Sequence, residues 1–136
     1  MNGPIGKRTP LIDAEKKVTG QAKYTGDFYF SNMLYVKFLR SPYPHARINK
    51  IDISKARDHP GVQAVAVGDD IPISFGILPI SPDETALAVK KVRYIGEIVA
   101  AVAGETEQVA QEGVDFIQVE YEPLRPFLTP EESLQV

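Results

Sequence analysis

The sequence predicts an α+β fold or a mixed α/β sheet. Several short segments alternate apolar and polar side chains, one stretch near 106–117 has helical spacing, and glycine and proline clusters separate them. This order of elements, in which several strands come first and a strand–helix–strand unit follows, is typical of this class. At 136 residues, one domain that buries roughly two-thirds of its unfolded surface is the default.

Composition limits the classes of function. Hydrophobic residues make up 43% and charged residues 24%, which is ordinary for a globular domain. The chain has no cysteine, so it cannot form disulfides, ligate iron–sulfur clusters or act by thiol catalysis. Its net charge is −3 and its cations are dispersed, which argues against nucleic-acid binding.

No targeting or membrane segment is evident. The longest apolar stretch, 98–103, is far shorter than the roughly 20 residues of a membrane span, and an apolar signal-peptide core is absent. We therefore expect a cytoplasmic protein without membrane contact.

The first half of the chain predicts an irregular arm followed by three strands. Residues 1–16 hold turn formers without periodicity, whereas 34–39 alternate as a largely buried strand that Pro42 and Pro44 end. A second strand covers 48–53. Ser54 is then placed to cap a short helix that Pro60-Gly61 closes. The third strand, 62–67, has Val62, Ala64 and Ala66 on one face. The turn Gly68-Asp69-Asp70 follows it.

Residues 71–85 form an unusual loop, because isoleucines, a leucine and a phenylalanine lie between its prolines and glycine. Connecting segments are normally polar. The loop is therefore expected to pack either on its own core or on a partner domain, with equal weight for the two.

The second half predicts a strand–helix–strand unit. Segments 89–94 and 97–103 read as strands broken at Gly96, and the second is apolar on both faces, as for a central strand. Thr106 caps a helix with one apolar face, and a strand follows at 117–121. The prolines of 123–136 predict a stiff linker.

Catalytic chemistry finds little support in the residues. No glycine-rich phosphate loop is present, and His45 and His59 have no cysteine with which to form a zinc site. His45 could serve as a general base, but a hydrogen bond to backbone is favoured. Arg40, Arg47 and Arg93 could bind anions, although an ion pair is favoured for Arg93; the acidic pairs Asp69-Asp70, Asp83-Glu84 and Glu131-Glu132 read as turns and caps.

Five spaced elements occur in this order: Arg8–Asp13, Lys17–Asp27, Arg40–Ile48, Val92–Tyr94 with Gly96-Glu97 before Val99–Val102, and Val119–Leu124. Together they resemble the xanthine dehydrogenase and aldehyde oxidase family, in the domain that opens its molybdenum-binding large subunit. That domain is an α/β hammerhead, so the resemblance implies this fold for 17–122, after the arm 1–16 and before the linker 123–136. Segments 75–80 and 6–11 look most like the large (alpha) subunit of 4-hydroxybenzoyl-CoA reductase.

The resemblance implies an oxidoreductase whose chemistry lies elsewhere. Family members hydroxylate or reductively dehydroxylate substrates at a molybdenum–molybdopterin cofactor, with electrons passing through iron–sulfur clusters and often FAD. Their molybdopterin contacts and active-site glutamate belong to later domains, and no position here matches them. We therefore assign no catalytic, cofactor-binding or metal residue, and expect the isolated chain to bind no molybdenum and to show no turnover.

Two functions remain open. The chain could be a fragment or short subunit that docks on the molybdopterin-binding domains and on iron–sulfur/FAD subunits, with loop 71–85 and arm 1–16 as docking surfaces and with homodimerisation conceivable. Alternatively, it could be a free-standing small-molecule or protein-binding module. Exposed apolar residues discriminate the two, because a docking domain without its partner should self-associate.

Overall fold

A computed structural model describes Gly6 and residues 8–78 and 80–135, which fall into two compact units, 1–33 and 34–136. In the first unit, α1 spans Ala14–Val18 and a short 3₁₀ turn spans Thr25–Asp27. An ion pair of 2.6 Å between Lys17 Nζ and Asp13 Oδ2 fixes the start of α1. Part of the predicted arm 1–16 lies outside the described residues.

The second unit contains two three-stranded sheets and a small hairpin. Every strand pairing is antiparallel. In chain order its elements among the described residues are β1 Tyr35–Arg40, β2 Ala46–Asp52, α2 Ser54–Arg57, β3 Val62–Val67, β4 Ser74–Phe75, β5 Glu84–Thr85, β6 Lys91–Val92, β7 Ile98–Gly104, α3 Glu107–Asp115, β8 Gln118–Pro123 and α4 Pro130–Ser133. The strand orders are β1-β7-β3, β6-β2-β8 and β4-β5, and the predicted mixed class is confirmed.

The strand β7 is central in the first sheet, as its two apolar faces predicted, because β1 and β3 pair with its two edges. Val99, Ala100 and Val102 are fully buried. Val102 belongs to a core cluster with Ala56 and Val114 that joins this sheet to α2 and α3. Val99 belongs to a second cluster, with Ala46, Ala88 and Val92.

The helix α3 forms as predicted and covers one face of this sheet. The Thr106 hydroxyl accepts a hydrogen bond of 3.1 Å from the Val109 N–H, which satisfies one of the unpaired donors of the first turn. The residues that face the sheet are Ala110, Gly113 and Val114.

The predicted strand–helix–strand unit is confirmed along the chain, but its two strands lie in different sheets. The chain does run β7, α3, β8, but β8 pairs with β2 in the second sheet, where Val119 lies opposite Ile51 and Tyr121 opposite Ile48. Both edges of β7 are already occupied, so the first sheet offers β8 no place next to β7.

Bulges and bends change other expectations. Pairing shifts between Val62 and Ala64, so Val62 packs on the core together with Val65 and Val67 and the predicted simple alternation of β3 fails. Ser54 is a helical residue and not the cap; instead Asp52 Oδ1 accepts from its N–H and hydroxyl, which lowers the pKa of Asp52.

The remaining boundary differences are short. The segment predicted as a strand at 89–94 keeps strand geometry only at Lys91–Val92. Gly61 and Gly96 have φ of 83° and 89°, which suits their predicted place in turns. The segment predicted as a linker includes the helical turn α4, whose first turn is capped by Thr129. Within the described ranges, no helix is long and apolar enough to span a bilayer.

Candidate docking surface

One face of the first sheet is apolar and exposed. Opposed residues of an antiparallel sheet point to the same side, so the pairing register defines this face. Val36 and Phe38 of β1 are 50% and 44% exposed on it. We call it the outer sheet face, and its two cross-strand rows are Val36, Ala103 and Ala64, and Phe38, Ala101 and Ala66.

The opposite face of the same sheet is covered. Leu39, Val65 and Val67 pack there on the core cluster that includes residues of α2 and α3. Lys37 Nζ lies on this side, 3.5 Å from Glu107 Oε2 at the start of α3. An antiparallel sheet with one covered face normally carries polar residues on the other. The outer sheet face departs from that rule.

The expectation that Leu34, Val36 and Phe38 belong to a largely buried strand is therefore wrong, since all three are 43–50% exposed. The sequence does carry a signal for this surface. β7 is apolar on both faces, and the edge strand β1 carries Val36 and Phe38 on one face and Leu39, next to Lys37, on the other. Apolar residues on both sides of an edge strand indicate a second contact, which the sequence pattern alone cannot distinguish from burial within the domain.

Loop 71–85 also exposes its apolar side chains. Its hairpin β4–β5 pairs Ser74 with Thr85 and Phe75 with Glu84. Ile73, Ile77 and Ile80 are 72%, 92% and 85% exposed, so they do not pack on the loop's own core. The alternative of packing on the loop's own core does not hold for these three residues, and contact with a partner stays a prediction. Leu11 and Ile12, in the predicted arm, are likewise exposed.

The two histidines make local contacts. His45 Nδ1 lies 3.0 Å from the Arg125 carbonyl oxygen, as the favoured interpretation predicted. A carbonyl oxygen only accepts, so Nδ1 carries the proton in this contact. His59 Nε2 lies 3.3 Å from Glu112 Oε2, and its ring packs on Phe116 with centroids 5.3 Å apart. His59 Nδ1 is buried and has no hydrogen-bond partner among the described residues.

The three arginines singled out from the sequence are already engaged. Arg93 forms the predicted ion pair, with Nη1 3.6 Å from Glu97 Oε1. Arg47 Nη1 lies 2.8 Å from Glu122 Oε2 across the β2–β8 pair. Arg40 Nη1 donates to the Gly96 carbonyl at 2.9 Å.

One member of each acidic pair acts in a turn or cap, as predicted, whereas Glu84 lies in the strand β5. Asp70 Oδ2 accepts from the Val67 N–H at 2.8 Å, Asp83 Oδ1 accepts from the Ser81 hydroxyl at 2.9 Å, and Glu132 Oε2 accepts from the Leu128 N–H at 3.1 Å. In the part of the chain that the structure describes, no three histidine or acidic residues converge as a metal site would require. The described residues therefore present no ligand set for a metal ion.

The pKa of Tyr121 is shifted from its ordinary value. Burial raises the pKa of Tyr121, with the neighbouring Ser41 hydroxyl opposing this and Tyr43 adding to it. The Ser41 hydroxyl is itself held by Tyr43, since it accepts from the Tyr43 N–H at 3.0 Å and donates to the Tyr43 carbonyl at 3.1 Å. The buried Tyr121 hydroxyl has no hydrogen-bond partner among the described residues. This is a feature of the core and not of an open site.

Comparisons with known proteins match this fold. The family model described as "Aldehyde oxidase and xanthine dehydrogenase, a/b hammerhead domain" matches residues 19–125. A probable xanthine dehydrogenase subunit of Bacillus subtilis is 46% identical over 125 residues, which cover 90% of this chain and 16% of the relative. The nicotinate dehydrogenase large molybdopterin subunit of Eubacterium barkeri is 43% identical over 96% of this chain and 31% of the relative.

A solved structure of similar sequence has the same fold. Quinoline 2-oxidoreductase from Pseudomonas putida 86 superimposes with a TM-score of 0.85 at 35% identity, covering 99% of this chain and 18% of that one. The chain thus spans between about a sixth and a third of the length of these three proteins. None of the three is a 4-hydroxybenzoyl-CoA reductase, so they give no support to that subfamily. The chain belongs to the aldehyde oxidase and xanthine dehydrogenase family and has the fold of its α/β hammerhead domain.

Proposed function

We propose that this chain is the non-catalytic hammerhead part of a molybdenum-dependent hydroxylase or dehydrogenase, and that it packs against the molybdopterin-binding remainder of a large subunit. The observation that carries the proposal is the outer sheet face. A domain that keeps two rows of apolar residues exposed on an edge-containing sheet gains stability when another domain covers them.

The division of labour follows from the residues present. One relative is named as a large molybdopterin subunit, and the chain corresponds to 31% of it. The cofactor would supply the redox chemistry, and the described residues contain no ligand set for its metal. The role left for this chain is to pack, to shape neighbouring surfaces and to exclude water from them. The iron–sulfur and FAD groups that the family implies would belong to partner domains or subunits.

The substrate class we propose is an aromatic ring that contains nitrogen. Xanthine, nicotinate and quinoline, after which the three similar proteins are named, share that chemistry. These names favour it over an aromatic thioester such as 4-hydroxybenzoyl-CoA, to which the resemblance of segments 75–80 and 6–11 points.

Loop 71–85 is proposed as a second docking surface. Its exposed isoleucines support this, because they are costly to leave in water. The segment 123–136 is proposed to lead toward the molybdopterin-binding region, and the boundaries at 16 and 122 are proposed as limits of the hammerhead domain.

The competing function is a free-standing binding module. The first experiment is an immunoblot of a source-cell lysate with an antibody raised to this chain. A band several-fold heavier supports the proposal, and purification of that polypeptide should then yield stoichiometric molybdenum. A band at 15.0 kDa that purifies without any molybdenum-containing partner supports the free-standing module and defeats the proposal.

The substrate class has a separate test. The purified native polypeptide, with its partners, is assayed with xanthine, nicotinate and quinoline, and with benzaldehyde as the non-heterocyclic control. Turnover of at least one heterocycle in excess over benzaldehyde supports the class. Turnover of benzaldehyde alone overturns the class and leaves the packing role standing.

A further inference from the structure

A cleft with a basic wall lies between the hairpin β4–β5 and the edge strand β6. Its volume is about 550 Å³, which is within the range of small-molecule sites. Pro72, Ser74 and Pro82 form part of the wall on the hairpin side. Lys90, Lys91 and Arg93 lie on the strand side.

The cations converge because of the local backbone. The chain bends at residues 89–90 and becomes a strand only at Lys91. Successive residues of a regular strand would point to opposite faces, whereas a bend just before β6 allows Lys90 and Lys91 to line one cleft. Lys90 and Lys91 are both exposed, whereas Val89 beside them is half-buried, so both ammonium groups are open to an entering ligand.

The positive charge of this cleft is poorly compensated. Among the described residues, neither lysine has a carboxylate within 4 Å. Arg47, which lies opposite Lys91 on β2, is paired with Glu122, so that carboxylate is engaged. Arg93 is paired with Glu97, and Asp83 in the wall accepts from Ser81. Three cations therefore share one cleft with Asp83 as the carboxylate in its lining, in a chain of net charge −3.

We propose that this cleft binds a phosphate group of a small molecule, and most strongly a diphosphate. Lysine ammonium groups act as point charges toward phosphate oxygens, and an arginine adds planar donors. Two adjacent lysines and an arginine match the several negative charges of a diphosphate better than the single charge of a carboxylate. Val89 and the two prolines leave an apolar margin for the rest of the ligand.

The test is a titration of the full ¹⁵N-labelled chain with sodium pyrophosphate, followed by amide chemical shifts at constant ionic strength. We expect saturable shifts clustered at Ser74, Thr85, Lys90, Lys91 and Arg93, with a Kd of about 1 mM or tighter. Sodium chloride at the same ionic strength should give no saturable shifts clustered at these amides, because ionic screening acts on all exposed charges alike.

A matched pair of variants tests the site itself. Lys90→Gln with Lys91→Gln should weaken binding at least tenfold. Lys50→Gln with Lys55→Gln removes the same charge from exposed positions outside the cleft and should leave binding unchanged. Unperturbed spectra of both variants away from the changes verify the fold. The proposal is overturned by a failure to saturate up to about 10 mM, or by equal weakening in the two double variants.

Discussion

Gly113 of α3 lies directly against Val102 of the central strand β7. A Cβ atom built on Gly113 would be 2.7 Å from Val102 Cγ1 and 3.1 Å from Val62 Cγ2. The absence of a side chain at this helix position thus sets how closely α3 approaches the sheet. Val102 and Val62 belong to the core cluster that packs on the covered face of the sheet.

Gly113→Ala should lower the free energy of unfolding by about 1–3 kcal/mol, because the methyl group overpacks the core. In an unobstructed helix the same change would stabilise by about 1 kcal/mol. Urea denaturation measures the difference. Gln111→Ala, on the exposed side of the same helix, is the control and should change stability little. A Gly113→Ala protein as stable as wild type would show that α3 can move off the sheet at no cost.

Thr106→Ala should cost about 1 kcal/mol, because the Val109 N–H loses the hydroxyl that accepts its hydrogen bond. Thr106→Ser retains an oxygen in the same position and serves as the control. Denaturant midpoints at a constant m-value give both numbers. Equal losses in the two variants would mean that the threonine methyl group, and not the cap, provides the stability.

The outer sheet face should make the isolated chain self-associate. Phe38→Lys places a charge on this face and should weaken association about tenfold or more, since burial of a large apolar side chain contributes about 1.5–3 kcal/mol. Sedimentation velocity over a range of concentrations measures it. Leu128→Lys, at a residue that is 76% exposed outside this face, is the control. A monomeric wild-type chain at high concentration would contradict the prediction and favour the free-standing module.

Tyr121 should make stability fall at alkaline pH. Burial raises its pKa above the ordinary value of 10.0, so above that pH the unfolded chain loses the tyrosine proton before the folded chain does. Protons bound only in the folded state make the free energy of unfolding decrease as pH rises, and below pH 10 this contribution is constant. Chemical denaturation in steps from pH 8 to pH 11 measures the slope.

Tyr121→Phe should reduce that alkaline loss. At pH 7 it should also be neutral or stabilising by up to about 1 kcal/mol, because the buried hydroxyl lacks a hydrogen-bond partner among the described residues. Tyr94→Phe, at a tyrosine that is 59% exposed, should leave the slope unchanged. Destabilisation by Tyr121→Phe at pH 7 would indicate that the hydroxyl is hydrogen-bonded after all.

Local patterns were enough to predict individual elements. The alternation at 34–39, the doubly apolar segment at 97–103 and the Thr106 cap each depend on residues close in sequence, and β1, β7 and α3 formed there. The phase of β3 was mispredicted, because a bulge after Val62 depends on how that strand meets β7. Likewise Ser54 has the residue type of a cap, but Asp52 supplies the accepting oxygen.

The docking surface was predicted only in part. Loop 71–85 is recognisable from sequence because apolar residues in a loop are anomalous wherever the loop lies. The outer sheet face is not, because an apolar strand residue is equally compatible with the interior. Only the pairing of Val36 and Phe38 with alanines of β7, on the side away from α3, distinguishes exposure from burial.

By itself the sequence determined the mixed class, the central place of β7, the capped helix and the family, since each depends on short-range periodicity or on motifs in order along the chain. The tertiary structure decided which sheet received β8 and which face of β1 remained exposed. Alternation with a period of two specifies that a strand has two faces, but not which neighbour it pairs with. That choice depends on which strand edges are free, and β1 and β3 occupy both edges of β7.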